Sequence, residues 1–250
     1  MRRILILLAA AVVLTGCKIQ EAEYFDPTAD GYRMLQSANR HLTEAAAAAS
    51  RAILFNLYYS ASDEERKTLH DRYFYTSRIV DSGNGEWRII DRDGELVILT
   101  GGQPLATDGA VWRYFCLSPT YAETTIACRT NGDETAYDLR LPDGGGELTF
   151  TAVFPGRTQE DGATRYWCEL SLTGSGACPA EKDLYGFDEL RYRITETLKY
   201  ISTAPQRFEL GQLELTGRID GDELEATAQY LPDNRITIAS GPYENDYYWH

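Results

Sequence analysis

Leu190-Arg191-Tyr192-Arg193-Ile194-Thr195-Glu196-Thr197-Leu198-Lys199-Tyr200 alternates apolar and polar side chains through almost its whole length. A period of two belongs to a strand with one face turned inward. Leu190, Tyr192, Ile194, Leu198 and Tyr200 make that face, and Arg191, Arg193, Thr195, Thr197 and Lys199 make the other. The natural partner is Phe208 to Ile219, whose apolar phase slips by one at Gly211-Gln212. An extra residue beside a glycine is the mark of a β-bulge. Glu196 interrupts the inward face. With Tyr200 opposite Phe208 in a hairpin register, it faces Gln212 at the bulge. An inward carboxylate is costly unless paired. Glu196 and Gln212 are therefore candidate ligand-binding residues in a cavity, the structural alternative being a barrel mouth reached by water.

The same pattern continues on both sides. Trp87 to Ile90, the turn Asp91-Arg92-Asp93-Gly94 and Glu95 to Thr100 read as a hairpin. Val111 to Leu117, Thr124 to Arg129, Tyr137 to Leu141, Leu148 to Phe154, Tyr166 to Leu172, Leu224 to Tyr230 and Ile236 to Ile238 follow, separated by Gly, Pro and Asp turns. Sequential hairpins with one apolar face imply an antiparallel meander, here of about nine to eleven strands by this count. Before it the period changes. Asp26-Pro27 offers an N-cap and a first helical position. Tyr32, Leu35, Leu42, Ala46, Ala49, Ile53 and Leu57 then recur at helical spacings through an Ala-rich run. Ser62-Asp63-Glu64-Glu65 resembles a capping box that opens a shorter helix to about Tyr73. The expected fold class is thus α+β, mainly β: a long N-terminal helix and a short second one packed on a curved antiparallel meander or partial β-barrel. Residues 28–75 form the helical segment and 76–250 the β domain, with 28–250 one folded unit.

The first residues carry an address. Met1-Arg2-Arg3 is a basic start, and Ile4 to Leu14 is an apolar run too short to span a bilayer, which takes about twenty residues. It matches the core of a secretory signal. Leu14-Thr15-Gly16-Cys17 follows and resembles the lipobox of bacterial lipoproteins. The resemblance implies a signal peptide over 1–16, a diacylglycerol on the thiol of Cys17, and a polar tether over 17–27. Lys18, rather than Asp, follows the cysteine, which in that class resembles outer-membrane sorting in a Gram-negative envelope, at the periplasmic face or the cell surface. Acyl chains such as palmitate anchor firmly, at about 0.8 kcal/mol per buried methylene.

Charge bounds the partners. The chain carries 38 acidic and 24 basic side chains, a net −14. Loss of Arg2 and Arg3 with the leader leaves 22 basic side chains and a net −16. Nucleic-acid binding needs the opposite sign. Four further cysteines, Cys116, Cys128, Cys168 and Cys178, read in an oxidising compartment as two disulfides. Local pairing, Cys116 with Cys128 and Cys168 with Cys178, is the expectation because each pair brackets a turn-rich stretch. No CxxC spacing or nearby histidine points to zinc.

Catalytic motifs are missing from the sequence. His41, His70 and His250 lie in no metal-ligand spacing, Gly174-Ser175-Gly176 is not GxSxG, and no phosphate-cradling glycine loop occurs. The acidic turns have hairpin chemistry rather than that of a calcium loop. No catalytic residue, metal or cofactor is assigned. Tyr247 and Trp249, in an aromatic C-terminal tail, are candidate ligand-binding residues, or else a tail strand on the sheet. The reading that follows is a membrane-anchored, non-enzymatic binding or scaffold lipoprotein with an envelope glycan, lipid or protein partner. The alternatives are a carrier of an apolar ligand, by fold-level analogy with the half-barrel lipoprotein carriers, and a carboxylate-based envelope hydrolase.

Overall fold

Helix α1, Pro27–Ser60, begins where the local chemistry dictates. The Asp26 carboxylate accepts from the Thr28 N–H at 3.0 Å, and Pro27 occupies the first turn, where its missing N–H is not needed. These assignments come from a computed structural model that describes residues 26–92, 94–116, 122–142, 145–160, 163–178, 185–202 and 207–248. The 34 residues of α1 make a rod about 51 Å long. Helix α2, Asp63–Tyr73, opens with the expected capping box: the Glu65 N–H donates to Ser62 Oγ, and the Ser62 N–H to Glu65 Oε2. No residue of α2 is buried. Arg66 ties it down, donating to the carbonyls of Tyr58 and Tyr59 at the end of α1 and lying over the rings of Tyr58 and Trp87.

The remaining elements are thirteen strands: β1 (Arg78–Gly83), β2 (Glu86–Asp91), β3 (Gly94–Leu99), β4 (Val111–Cys116), β5 (Ala122–Asn131), β6 (Glu134–Leu141), β7 (Gly146–Glu160), β8 (Ala163–Cys178), β9 (Glu189–Ile201), β10 (Arg207–Ile219), β11 (Asp222–Tyr230), β12 (Arg235–Ser240) and β13 (Tyr243–Tyr248). They pair antiparallel in strict sequence order within one sheet. This corrects the expected architecture. The fold is mainly β, with thirteen strands rather than nine to eleven, and the sheet is open rather than a barrel, because β1 and β13 do not meet. The two strands outside the periodic count are these edges, β13 being the tail strand that the aromatic C-terminus offered as an alternative. Arg78–Gly83 and Tyr243–Tyr248 are mostly exposed, so neither carries the apolar alternation that marks a half-buried strand. Polar edges also suit an open sheet, since they discourage pairing with another chain.

The apolar face of the sheet is covered by α1. Leu35, Ala38, Leu42, Ala46, Ala49, Ala52 and Phe55 of the helix are wholly buried, as are Ile98, Trp112, Ile126, Leu139, Phe150, Leu172, Leu198, Tyr200, Leu213 and Ile238 of the strands. Small residues permit the close approach. A Cβ on Gly31 would sit 2.7 Å from Ile238 Cγ2 and 2.8 Å from Ala226 Cβ, and one on Gly217 would meet Met34 Sδ at 2.6 Å. At the far end bulk returns. Phe55 packs on Trp87, Trp112, Phe74 and Tyr58 with ring centroids 5.6–6.4 Å apart, contacts worth about 0.5–1.5 kcal/mol each beyond their burial. Asn56 accepts from the buried Leu105 N–H at 2.7 Å, which pins the β3–β4 loop over this cluster.

Among the described residues no disulfide is formed. Cys128, Cys168 and Cys178 are free and buried, which corrects both expected pairings. Cys168 and Cys178 lie ten residues apart on the one strand β8, a rise of about 30 Å, where a disulfide needs Cα atoms about 4.4–6.8 Å apart. Cys116 pairs in register with Ala122 at one end of the β4–β5 ladder, whereas the Cys128 N–H bonds to Ala110 beyond the other end. The turns between the cysteines suggested local closure. Strand length instead holds the partners apart.

Candidate functional site

The bulge forms where the sequence places it, with a different consequence. Phe208 pairs with Tyr200 and Gln212 with Glu196, and the β9–β10 register is irregular from Phe208 to Leu213. Gly211 makes this possible. Its φ is +121°, and a Cβ there would stand 2.6 Å from the Thr197 carbonyl oxygen and 2.8 Å from Leu198 Cα. On its other side β9 also carries surplus residues: Leu198 pairs with Leu172 but Ile194 with Gly174. Thr195, Glu196 and Thr197 are thereby displaced from the β8–β9 ladder, and all three are exposed. The inward placement of Glu196 is thus corrected. The displacement returns the carboxylate to water and removes the desolvation penalty that inward burial would carry. Gln212 opposite it is half-buried.

Tyr247 lies on β13, three strands from the bulged β10, and its ring is engaged within the chain. It stacks on Tyr32 of α1 with centroids 4.2 Å apart and planes 5° from parallel, and its hydroxyl lies 2.8 Å from Thr28 Oγ1. The same hydroxyl donates to the Asp26 carboxylate, whose pKa is lowered chiefly by the Thr28 hydroxyl, with Tyr247 and Asn245 adding to it. These bonds hold the outermost strand against the start of α1. Trp249 lies outside the described residues, as do Cys17 and the rest of the leader and tether. The structure therefore does not bring Glu196 and Gln212 together with Tyr247.

Sequence reasoning missed two polar clusters against α1. In the first, His41 Nδ1 lies 3.2 Å from the Tyr192 hydroxyl, next to the buried thiol of Cys178. Burial, reinforced by the thiol, raises the Tyr192 pKa far above its usual value, so the phenol is neutral. Gly176 makes room for that phenol. In the second, at the rim between the β11–β12 turn and the start of β10, Asn39, Arg207, Phe208, Tyr230, Asn234 and Arg235 surround a niche of about 10 Å³, enough for a single water. The Tyr230 hydroxyl donates to Asn39 Oδ1 at 2.9 Å, Arg207 pairs with Glu209, and Arg235 pairs with Asp246. Both clusters join strands to helix across more than 140 residues of chain. No pattern along the chain could have linked them.

The outer face of the sheet carries cross-strand ion pairs: Arg113 with Glu123, Arg129 with Asp138, Arg140 with Glu147, Arg193 with Glu214, Lys199 with Glu169 and Arg235 with Asp246. Exposed Thr151, Thr173, Thr195 and Thr197 lie near its middle. Among the described residues no group of three or more His, Cys, Asp or Glu side chains is placed to hold a metal ion, and no helix is long and apolar enough to cross a membrane. No family model matches the chain, and no curated protein and no solved structure matches it.

Proposed function

We propose that the chain is an outer-membrane-anchored lipoprotein acting as a binding or scaffold module at the cell envelope. The observation that carries this reading is the occupation of the sheet's apolar face by α1. Among the described residues, the niche between α1 and the rim of the sheet is about 10 Å³, where pockets for small molecules have about 300–1,000 Å³. What the fold offers a partner is its outer surface, about 58 Å across thirteen strands at their usual spacing. The basic start, apolar run and Leu14-Thr15-Gly16-Cys17 supply the anchor, with the acyl group on Cys17 as the membrane contact and an envelope glycan, lipid or protein as the partner. The carrier reading asks for an apolar cavity that α1 fills. The hydrolase reading asks for a carboxylate inside a cleft, and Glu196 stands outside.

Two measurements test the proposal together. Mass spectrometry of the N-terminal peptide from natively produced protein should find Cys17 acylated and residues 1–16 removed. Fractionation should place the protein in the outer membrane and release the Cys17→Ala variant from it. Photo-crosslinkers at Thr151 and Thr173 on the outer face should then capture an envelope component in cells. An unmodified thiol at Cys17, or an outer face that crosslinks to nothing, refutes the corresponding half of the reading.

A further inference from the structure

We infer that the end of the fold formed by the start of α1 and strand β13 rests on the bilayer surface through a cluster of tyrosines. The inference depends on the lipid anchor proposed above and goes beyond it by fixing which surface meets the lipid.

The cluster is defined by contacts. Tyr32 stacks on Tyr247, and the proximity of Tyr185 and Tyr247 adds to burial in raising the Tyr32 pKa. The Tyr185 hydroxyl donates to Gln36, one turn further along α1. Asn245 and Tyr247 both reach the carboxylate of Asp26; Tyr243 shares their face of β13, and Tyr248, opposite Arg235, lies on the other face of this outermost strand. Tyr185, Tyr243 and Tyr248 are 39%, 54% and 58% exposed. Rings of this kind, apolar in body and polar at the tip, are enriched at membrane–water interfaces.

The length and position of the N-terminal segment identify the lipid as the occupant. Nine peptide steps separate Cys17 from Asp26, at most about 32 Å when fully extended. Asp26 lies inside the cluster, so an acylated Cys17 keeps these rings within that distance of the bilayer. Helix α1 is about 51 Å long, so the opposite end of the fold, with Tyr75 at 71% exposure, lies farther from Asp26 than the tether extends. Charge sets the lipid class. Asp30 is paired with Arg33, and Asp246 and Asp233 share Arg235, while Asp26 and Glu244 add negative charge. The patch therefore suits zwitterionic headgroups and is repelled by a strongly anionic surface.

Hydroxyl-radical footprinting of the acylated full chain in phosphatidylethanolamine–phosphatidylcholine vesicles, compared with the same protein in dilute detergent, tests the orientation without any variant. The expected result is loss of labelling at Tyr185, Tyr243 and Tyr248 in vesicles, with Tyr75 unchanged, and a weaker loss when phosphatidylglycerol is added. Acylated protein whose four tyrosines label alike in both media overturns the orientation and leaves the anchor standing. An unmodified Cys17 in the same mass spectrum overturns both.

Discussion

Replacing Gly211 by alanine tests whether the bulge between β9 and β10 is a steric necessity. The φ of +121° lies outside the range that L side chains adopt readily, a strain of about 1–3 kcal/mol. The added methyl would meet the Thr197 carbonyl oxygen at 2.6 Å, Leu198 Cδ2 at 2.7 Å and Leu198 Cα at 2.8 Å. Two of these are backbone atoms of the neighbouring strand, so relief requires the strands to part, at about 1–3 kcal/mol for overpacking. The sum is about 4 kcal/mol, or roughly 8–16 °C in Tm for a chain of this size. Gly221 provides the control. Its φ is +90°, but nothing lies within 4 Å of a Cβ there, so Gly221→Ala carries the backbone strain alone. Urea unfolding of both variants at 25 °C, read by circular dichroism, separates the two contributions. Gly211→Ala should lose about 2 kcal/mol more than Gly221→Ala with an unchanged m-value. Equal losses would refute the close approach as the reason for glycine at this position.

The remaining predictions concern the joins between sheet and helix, the thiols and the response to acid. Asn56→Ala leaves the buried Leu105 N–H without its acceptor and should cost about 1–3 kcal/mol in urea unfolding, with faster amide exchange in the β3–β4 loop. Tyr247→Ala removes the stack on Tyr32 and the bonds to Thr28 and Asp26, so amides of β13 should exchange far faster while those of β9 and β10 keep their protection. Cys128, Cys168 and Cys178 should alkylate without reductant once the chain is unfolded, and scarcely in the native state, since all three are buried. A bridged peptide by mass spectrometry would contradict this. Asp26, Glu123, Asp138 and Asp246 have pKa values below their usual ones, chiefly through hydrogen bonds to Thr28, Arg113, Arg129 and Thr237 respectively. Their stabilisation is complete above the unfolded-state pKa values, about 4, and is lost as pH falls through the lower folded ones. Carboxyl NMR titrations should therefore show these four midpoints below the unfolded-chain values, and midpoints at or above them would contradict the assigned contacts.

Local chemistry and periodicity in the chain determined much of this molecule. Asp26-Pro27 and Ser62 to Glu65 start the two helices because their caps need only neighbouring residues. Alternation in Leu190–Tyr200 sets a one-faced strand, and the Phe208 register follows from hairpin geometry. The bulge at Gly211-Gln212 is legible because a phase slip is written in the order of side chains. Tertiary structure alone decided what depends on distance across the fold. It opened the sheet, because polar edge strands have no periodic signature. It turned Glu196 to water, because the surplus residues that displace it are counted against β8 rather than along β9. It parted the cysteines, because an extended strand separates residues that are close in number. And it took Tyr247 from a candidate ligand contact to a clasp on the start of α1, since a ring's partner more than two hundred residues away is settled by packing and leaves no mark in the sequence around it.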